Sequence, residues 1–261
     1  MLVCALLVFP LWWMLATALA DPAEIRQYPP VFLPLSPSLA GFRGVLDDRP
    51  MLLWIANSTK VAAASTALTM ILGVLGGYAL SRFASRPAQA FGMGVLVAKM
   101  IPTTLLVIPL YVLFRQIGLI ASLPSAALAH CTVTIPFAIW MLKAYFDSIP
   151  KELEEAGMMD GCTPLGVLWR VILPVSLPGL GATAFYAFIL SWNEYAFSRT
   201  LLISRPENWT ITLGIASIRG EYIVAWNEIM AASAIAAIPV IVVFVWLERY
   251  LVIGLTAGAQ K

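Results

Sequence analysis

The chain has 261 residues, 61% of them hydrophobic and 11% charged, with a formal net charge of +2 and a mean hydropathy of +0.87. So apolar a composition excludes a water-soluble domain with a polar shell and reads as a polytopic membrane protein. The basic residues stand singly without aromatic interleaving, which sets nucleic acid aside, and Cys4, Cys131 and Cys162 lack any CxxC or Cys/His spacing that would suggest a disulfide framework or a metal site.

The expected fold is all-α, with six membrane spans at about 1–20, 61–80, 91–114, 121–143, 171–192 and 226–247. The first run ends in Ala18-Leu19-Ala20, which imitates a signal-peptidase site, but no Lys or Arg precedes it, so it is read as a retained span. Residues 21–50 form a Pro-rich loop outside the lipid. Met51–Lys60 continues the helical pattern of the second span beyond the bilayer, where Lys60 can snorkel, and Gly73 with Gly77 marks close helix packing.

The third run, 91–114, is interrupted by Lys99, Pro102 and Pro109. Prolines free backbone groups that only neighbouring protein or a wet cavity can satisfy in lipid. At roughly 1.5 Å per residue, Lys99 lies about 12 Å along the helix from Phe91, inside the hydrocarbon zone. Either it is paired with Glu194 or Glu228, it snorkels, or it lines a translocation path with Thr103 and Thr104 and favours an anionic solute. The fourth run holds His130, read as a hydrogen-bonded packing residue rather than a proton relay. The fifth ends in Trp192-Asn193-Glu194, with Asn193 and Glu194 placed on the same path, and the sixth ends in Glu248-Arg249. Six spans put both termini on one side. Seven basic residues fall on each face (Arg82, Arg86, Lys143, Lys151, Arg170, Arg249 and Lys261 against seven arginines), so charge alone does not orient the chain.

Between spans four and five lies an acidic, glycine-punctuated stretch, 147–170. Ser148 is the expected N-cap of its first helix, with Pro150 in the first turn and acids at 152, 154 and 155 near the positive end of the dipole. Leu153, Ala156, Gly157 and Asp160 recur at helical spacing on one face, and Gly157 and Gly161 would let another backbone approach. Thr163-Pro164 restarts a helix as N-cap and first residue. Such a helix-turn-helix fits a groove on a partner.

Glu155-Ala156-Gly157, three residues, Gly161, nine residues, Val171, one residue and Leu173-Pro174 together resemble the EAA loop of ABC importer permeases, with Gly157 replacing an alanine and Val171 an isoleucine. Asn57-Ser58, Tyr78 to Phe83, Ile101-Pro102, Trp192-Asn193-Glu194 and the Gly254-Leu255-Thr256-Ala257-Gly258 tail extend the resemblance to the maltose-type carbohydrate permeases. Many of those carry basic residues before their first span, which the sequence from Met1 does not show.

The resemblance implies a type I importer permease with a cytoplasmic coupling helix. Glu152, Glu155, Ala156, Gly157, Asp160 and Gly161 would then contact an ATPase. The implied partners are a second permease, two copies of the nucleotide-binding subunit, a periplasmic or lipid-anchored binding protein, a sugar-like solute and the bilayer of the bacterial inner membrane. Both termini would be cytoplasmic. This chain itself would bind no cofactor, and ATP and Mg²⁺ would act in the partner subunits. Gly161 to Gly166 has P-loop glycine spacing, but Val167 and Leu168 stand where Lys and Ser/Thr are needed. Asn57-Ser58-Thr59 and Asn208-Trp209-Thr210 match the glycosylation sequon, a pattern common by chance. No catalytic set converges. The alternative is an ion-driven secondary transporter using His130, Glu194 or Glu228.

Overall fold

A computed structural model of the chain describes residues 2–28, 32–83, 85–220 and 224–258; Lys261, counted above among the basic residues, lies outside them. The order is α1 (Leu2–Leu19), α2 (Pro22–Ile25), α3 (Ala40–Asp47), α4 (Met51–Arg82), α5 (Arg86–Met100), α6 (Thr103–Gln116), α7 (Leu123–Asp147), α8 (Glu152–Met159), α9 (Pro164–Val167), a π turn (Leu168–Ile172), α10 (Leu173–Val175), α11 (Leu177–Trp192), α12 (Ala196–Leu202), a 3₁₀ turn (Pro206–Asn208), α13 (Ile211–Ile218) and α14 (Trp226–Gly258).

Local chemistry sets several helix starts. Ser85, Ser122 and Thr163 each accept a backbone N–H from three residues on, and a proline fills the first turn behind each cap. By length and composition, α4, α7 and Trp226–Glu248 of α14 can each cross a membrane, while Leu6–Leu19 is a shorter apolar stretch.

Runs 91–114 and 171–192 are not straight spans. α5 and α6 meet at 102°, and the α9–α10 segment meets α11 at 81°. The first break falls at Ile101, whose extended backbone is what a following proline favours. The second falls at Ser176, two residues before Pro178, which lacks an N–H and would crowd the carbonyl four residues back in a continuous helix. Upstream of it, the π turn with Leu173 N–H donating to Leu168 O accommodates the Pro174 ring.

α4 and α7 pack along much of their length. A Cβ at Gly73 would stand 2.9 Å from Ala138 Cβ, and one at Gly77 would stand 3.0 Å from Ile139 O, so the two glycines set this close approach. Thr69 and Thr134 hydroxyls lie 2.6 Å apart in the same seam. Three buried clusters surround this pair: one about Trp54, Phe188 and Trp192, one about Phe114, Phe197 and Leu201, and one about Leu142, Phe146 and Ile172.

Candidate functional site

Residues 147–175 form a helical hairpin at one end of the bundle. Its turn is a Schellman cap: Gly161 N–H donates to Met158 O and Cys162 N–H to Gly157 O, both at 3.0 Å. Gly161 has φ +84°, and a Cβ there would meet no atom of this chain within 4 Å. Its glycine is therefore favoured by left-handed backbone, a second reason for glycine beside the room it would leave for a partner. Thr163 Oγ1 accepts from Gly166 N at 3.2 Å and starts α9 as expected.

Ser148 does not cap α8. It ends α7, its hydroxyl donating to Tyr145 O at 2.6 Å, and α8 begins only at Glu152, after Pro150 has held residue 149 out of the helix. The face expected to unite Leu153, Ala156, Gly157 and Asp160 also divides. Gly157 is buried, with Val167 and Val171 methyls 3.3 Å from where its Cβ would be, so the close approach it allows is within the hairpin. Glu152, Glu155, Ala156, Asp160 and Gly161 are exposed. So are Met159 (88%), Leu165 (62%) and Trp169 (62%), which leaves the hairpin with an apolar surface bordered by carboxylates.

Glu154, which the motif did not single out, ties α8 to the bundle. Its carboxylate pairs with Arg82 Nε at the end of α4 and accepts from Tyr78 OH at 3.0 Å. Arg82 Nη2 donates to Ile149 O at 3.2 Å, and its Nη1 to Ser81 Oγ at 2.8 Å. Ser81 in turn donates to Asp147 at 2.6 Å, and Lys143 reaches the other oxygen of Asp147, also at 2.6 Å. The signal available in sequence was the Tyr78–Phe83 match itself, which holds a base and a hydroxyl but names no partner.

The family model described as "Binding-protein-dependent transport system inner membrane component" matches residues 51–255. The chain belongs to this family. It is 34% identical to the diacetylchitobiose uptake system permease protein DasC of Streptomyces coelicolor over 98% of this chain and 92% of that one. It is also 34% identical to the sulfoquinovosyl glycerol transport system permease protein SmoH of Agrobacterium fabrum, over 97% and 89%. A chain from a bacterial ABC transporter that imports the acidic polysaccharide alginate shares the fold, with a TM-score of 0.81 at 23% identity over 95% of this chain and 92% of that chain. This protein is thus an ABC importer permease of the inner membrane, in a family whose ATP hydrolysis is carried by partner subunits.

The residues expected on a translocation path do not gather into one constellation. Glu194 is committed at the turn before α12: it accepts from Phe197 N–H at 2.7 Å, Ser198 N–H at 3.0 Å and Ser198 Oγ at 3.2 Å, and lies 3.0 Å from His130 Nε2. His130 is buried, with Nδ1 2.6 Å from Ser191 Oγ, as a packing histidine would be. Asn193 beside it is exposed. Glu228 meets Arg49 at 3.4 Å. The expected pairing of Lys99 with Glu194 or Glu228 is therefore not made, because both acids already have bases nearer in the fold. Lys99 instead lies in the last turn of α5, exposed, with Nζ 5.1 Å from the centre of the Phe137 ring. Phe137 stacks at 4.0 Å on Tyr186 of α11. Thr103 and Thr104 follow immediately on α6, beyond the bend. Among the described residues no cluster of His, Cys, Asp and Glu suited to a metal is found.

Proposed function

We propose that this permease pairs with a second permease to form the path for a sugar or sugar-like solute, delivered by a periplasmic or lipid-anchored binding protein and driven by two ATPase subunits that hold ATP and Mg²⁺. The hairpin carries this reading. Exposed apolar side chains of the size of Met159, Leu165 and Trp169, bordered by Glu152, Glu155 and Asp160, mark a docking surface. α8 then lies in the cytoplasm as the coupling helix, and six spans put both termini there. Residues 21–50 and the segment after Glu194 face the periplasm. The named solutes of the relatives, diacetylchitobiose and sulfoquinovosyl glycerol, support the carbohydrate class.

Lys99, Thr103 and Thr104 line the path at the α5–α6 bend in this reading, and Lys99 favours an anionic or acidic sugar derivative. The energetics support an aqueous or ligand-filled surrounding. A cation over a ring gains about 0.5–2 kcal/mol, whereas a lysine at mid-bilayer costs about 2.5–3.5 kcal/mol even on the mildest scale. The Phe137 ring alone does not hold that ammonium in lipid.

Uptake into cells carrying the whole importer tests the assignment. Vanadate, which traps ABC ATPases, is expected to abolish it, while a protonophore leaves uptake intact when ATP is held constant. The opposite pattern would replace the ABC reading with the ion-driven one.

A further inference from the structure

α4 is gripped at both ends. At one end are Arg82 and Tyr78, which hold Glu154 of α8; the Arg82 and Glu154 side chains are only 8% and 12% exposed. At the other end Asn57 Nδ2 donates to Glu207 O at 2.9 Å and to Trp209 O at 3.1 Å, while Ser58 Oγ accepts from Ile211 N–H at 2.7 Å. Asn57 and Ser58 are both buried, and their bonds fix the 3₁₀ turn and the start of α13, the connection between α12 and α14. From Ser58 to Arg82 is about 36 Å at 1.5 Å per residue.

The helix between the two grips is built to stay straight. No proline lies within Met51–Arg82, whereas α6, α7 and α14 contain Pro109, Pro136 and Pro239. Proline is a common cause of sharp kinks, and α4 lacks that cause. The glycine seam with α7 and the Thr69–Thr134 hydrogen bond stiffen its middle. A rigid element held at two sites biases both at once, which is the physical requirement for coupling them.

We propose that α4 is the transmission rod of this permease: the Arg82–Glu154 clasp makes the coupling helix move with α4, and Asn57 and Ser58 carry that movement to the 207–211 segment on the opposite face. Arg82, Glu154 and Asn57 are positioning residues; none has to touch solute or nucleotide. The inference rests on α8 docking on an ATPase subunit. That docking is read separately, by whether the ATPase subunits co-purify with the permease.

The test uses the full importer reconstituted in liposomes with its binding protein and its transported solute. Arg82→Glu and Glu154→Arg are made singly and together, with Asn57→Leu at the far end and Tyr78→Phe, which removes one hydroxyl, as a mild partner. Co-purification, basal ATP hydrolysis, stimulation of hydrolysis by the liganded binding protein, and uptake are measured. Each charge reversal and Asn57→Leu are expected to keep the ATPase subunits and basal hydrolysis but to lower stimulation and uptake about tenfold. Tyr78→Phe is expected to lower them about twofold, and the double reversal to regain at least a third of the wild-type values. Full stimulation in the single variants, or in Asn57→Leu, would overturn the rod. So would a double reversal no better than its parents. Loss of the ATPase from the charge-reversed complexes would also overturn it, by making the pair part of the docking surface.

Discussion

His130 Nε2 and Glu194 Oε2 stand 3.0 Å apart and join α7 to the turn that opens α12. The same carboxylate takes two backbone N–H groups of α12 and so neutralises the positive end of that short helix. Glu194 thus serves as a cap and lies against His130, an arrangement poorly suited to releasing a proton on every cycle. This weakens the ion-driven alternative from the geometry alone.

Glu194→Ala is therefore expected to be structurally costly. It strands the two amides of Phe197 and Ser198, at about 1–3 kcal/mol for each unsatisfied group, and removes the acid beside His130 Nε2. The purified importer should unfold at a clearly lower temperature, with Glu194→Gln intermediate because its oxygen can still accept. Equal thermal midpoints for Glu194→Ala and wild type would remove the capping role.

Gly161 offers a test of conformation against bulk. A non-glycine residue in the left-handed region costs about 1–2 kcal/mol, less for asparagine. Gly161→Asn is expected to retain more ATP-driven uptake than Gly161→Ala, although asparagine is larger, because the space around that position within the chain is open. Gly161→Trp should leave the permease inserted yet detach or uncouple the ATPase, since the indole would stand on the docking face. Normal uptake with tryptophan would sink the docking assignment.

Much of this was legible in sequence, and what was not has identifiable causes. Hydropathy marks the apolar runs, and cap chemistry at Thr163-Pro164 marks the restart of the hairpin. Hydropathy is blind to bends, so the angles at Ile101-Pro102 and Ser176 did not show, although a proline stands within two residues of each. Proline alone does not decide: α7 continues through Pro136, held against α4. Helical periodicity set Gly157 beside Ala156 and Asp160, and only the fold reveals that Val167 and Val171 occupy its side. The partners of Glu154 and Glu194 lie 72 and 64 positions away, Arg82 and His130 respectively, beyond the reach of local pattern.

Orientation is checked by single cysteines at Ser36, Glu207 and Glu152, in a background from which Cys4, Cys131 and Cys162 have been removed. All three sites are exposed. An impermeant thiol reagent added to cells with a permeabilised outer membrane is expected to label positions 36 and 207, and position 152 only after lysis. Labelling of position 152 before lysis would reverse the topology.

Asn57 and Asn208 sit in sequons, yet both amides are already engaged, Asn57 with the carbonyls of Glu207 and Trp209, and Asn208 with Ala121 O at 2.8 Å. Asn208→Ala is expected to loosen the 3₁₀ turn from the α6–α7 connection. Proteolytic nicking within 203–209 should then accelerate several-fold in the purified importer, and an unchanged cleavage rate would mean that the bond is incidental.

Lys99 is the sharpest case, because the fold removes the ion pairs that would have explained it within this chain. What remains is a cation over Phe137, itself stacked on Tyr186, at the bend where α5 gives way to α6. If Lys99 faces the solute, its loss removes one charged hydrogen bond, worth about 1.5–3 kcal/mol, or about tenfold to a hundredfold in rate. Lys99→Met is therefore expected to reduce uptake at least tenfold while the complex assembles and its ATPase still responds to the liganded binding protein. Lys99→Arg should restore part of the uptake, since the charge is kept. Poor assembly of Lys99→Met would instead point to a partner in the second permease. Wild-type uptake would show that the ammonium takes no part in transport.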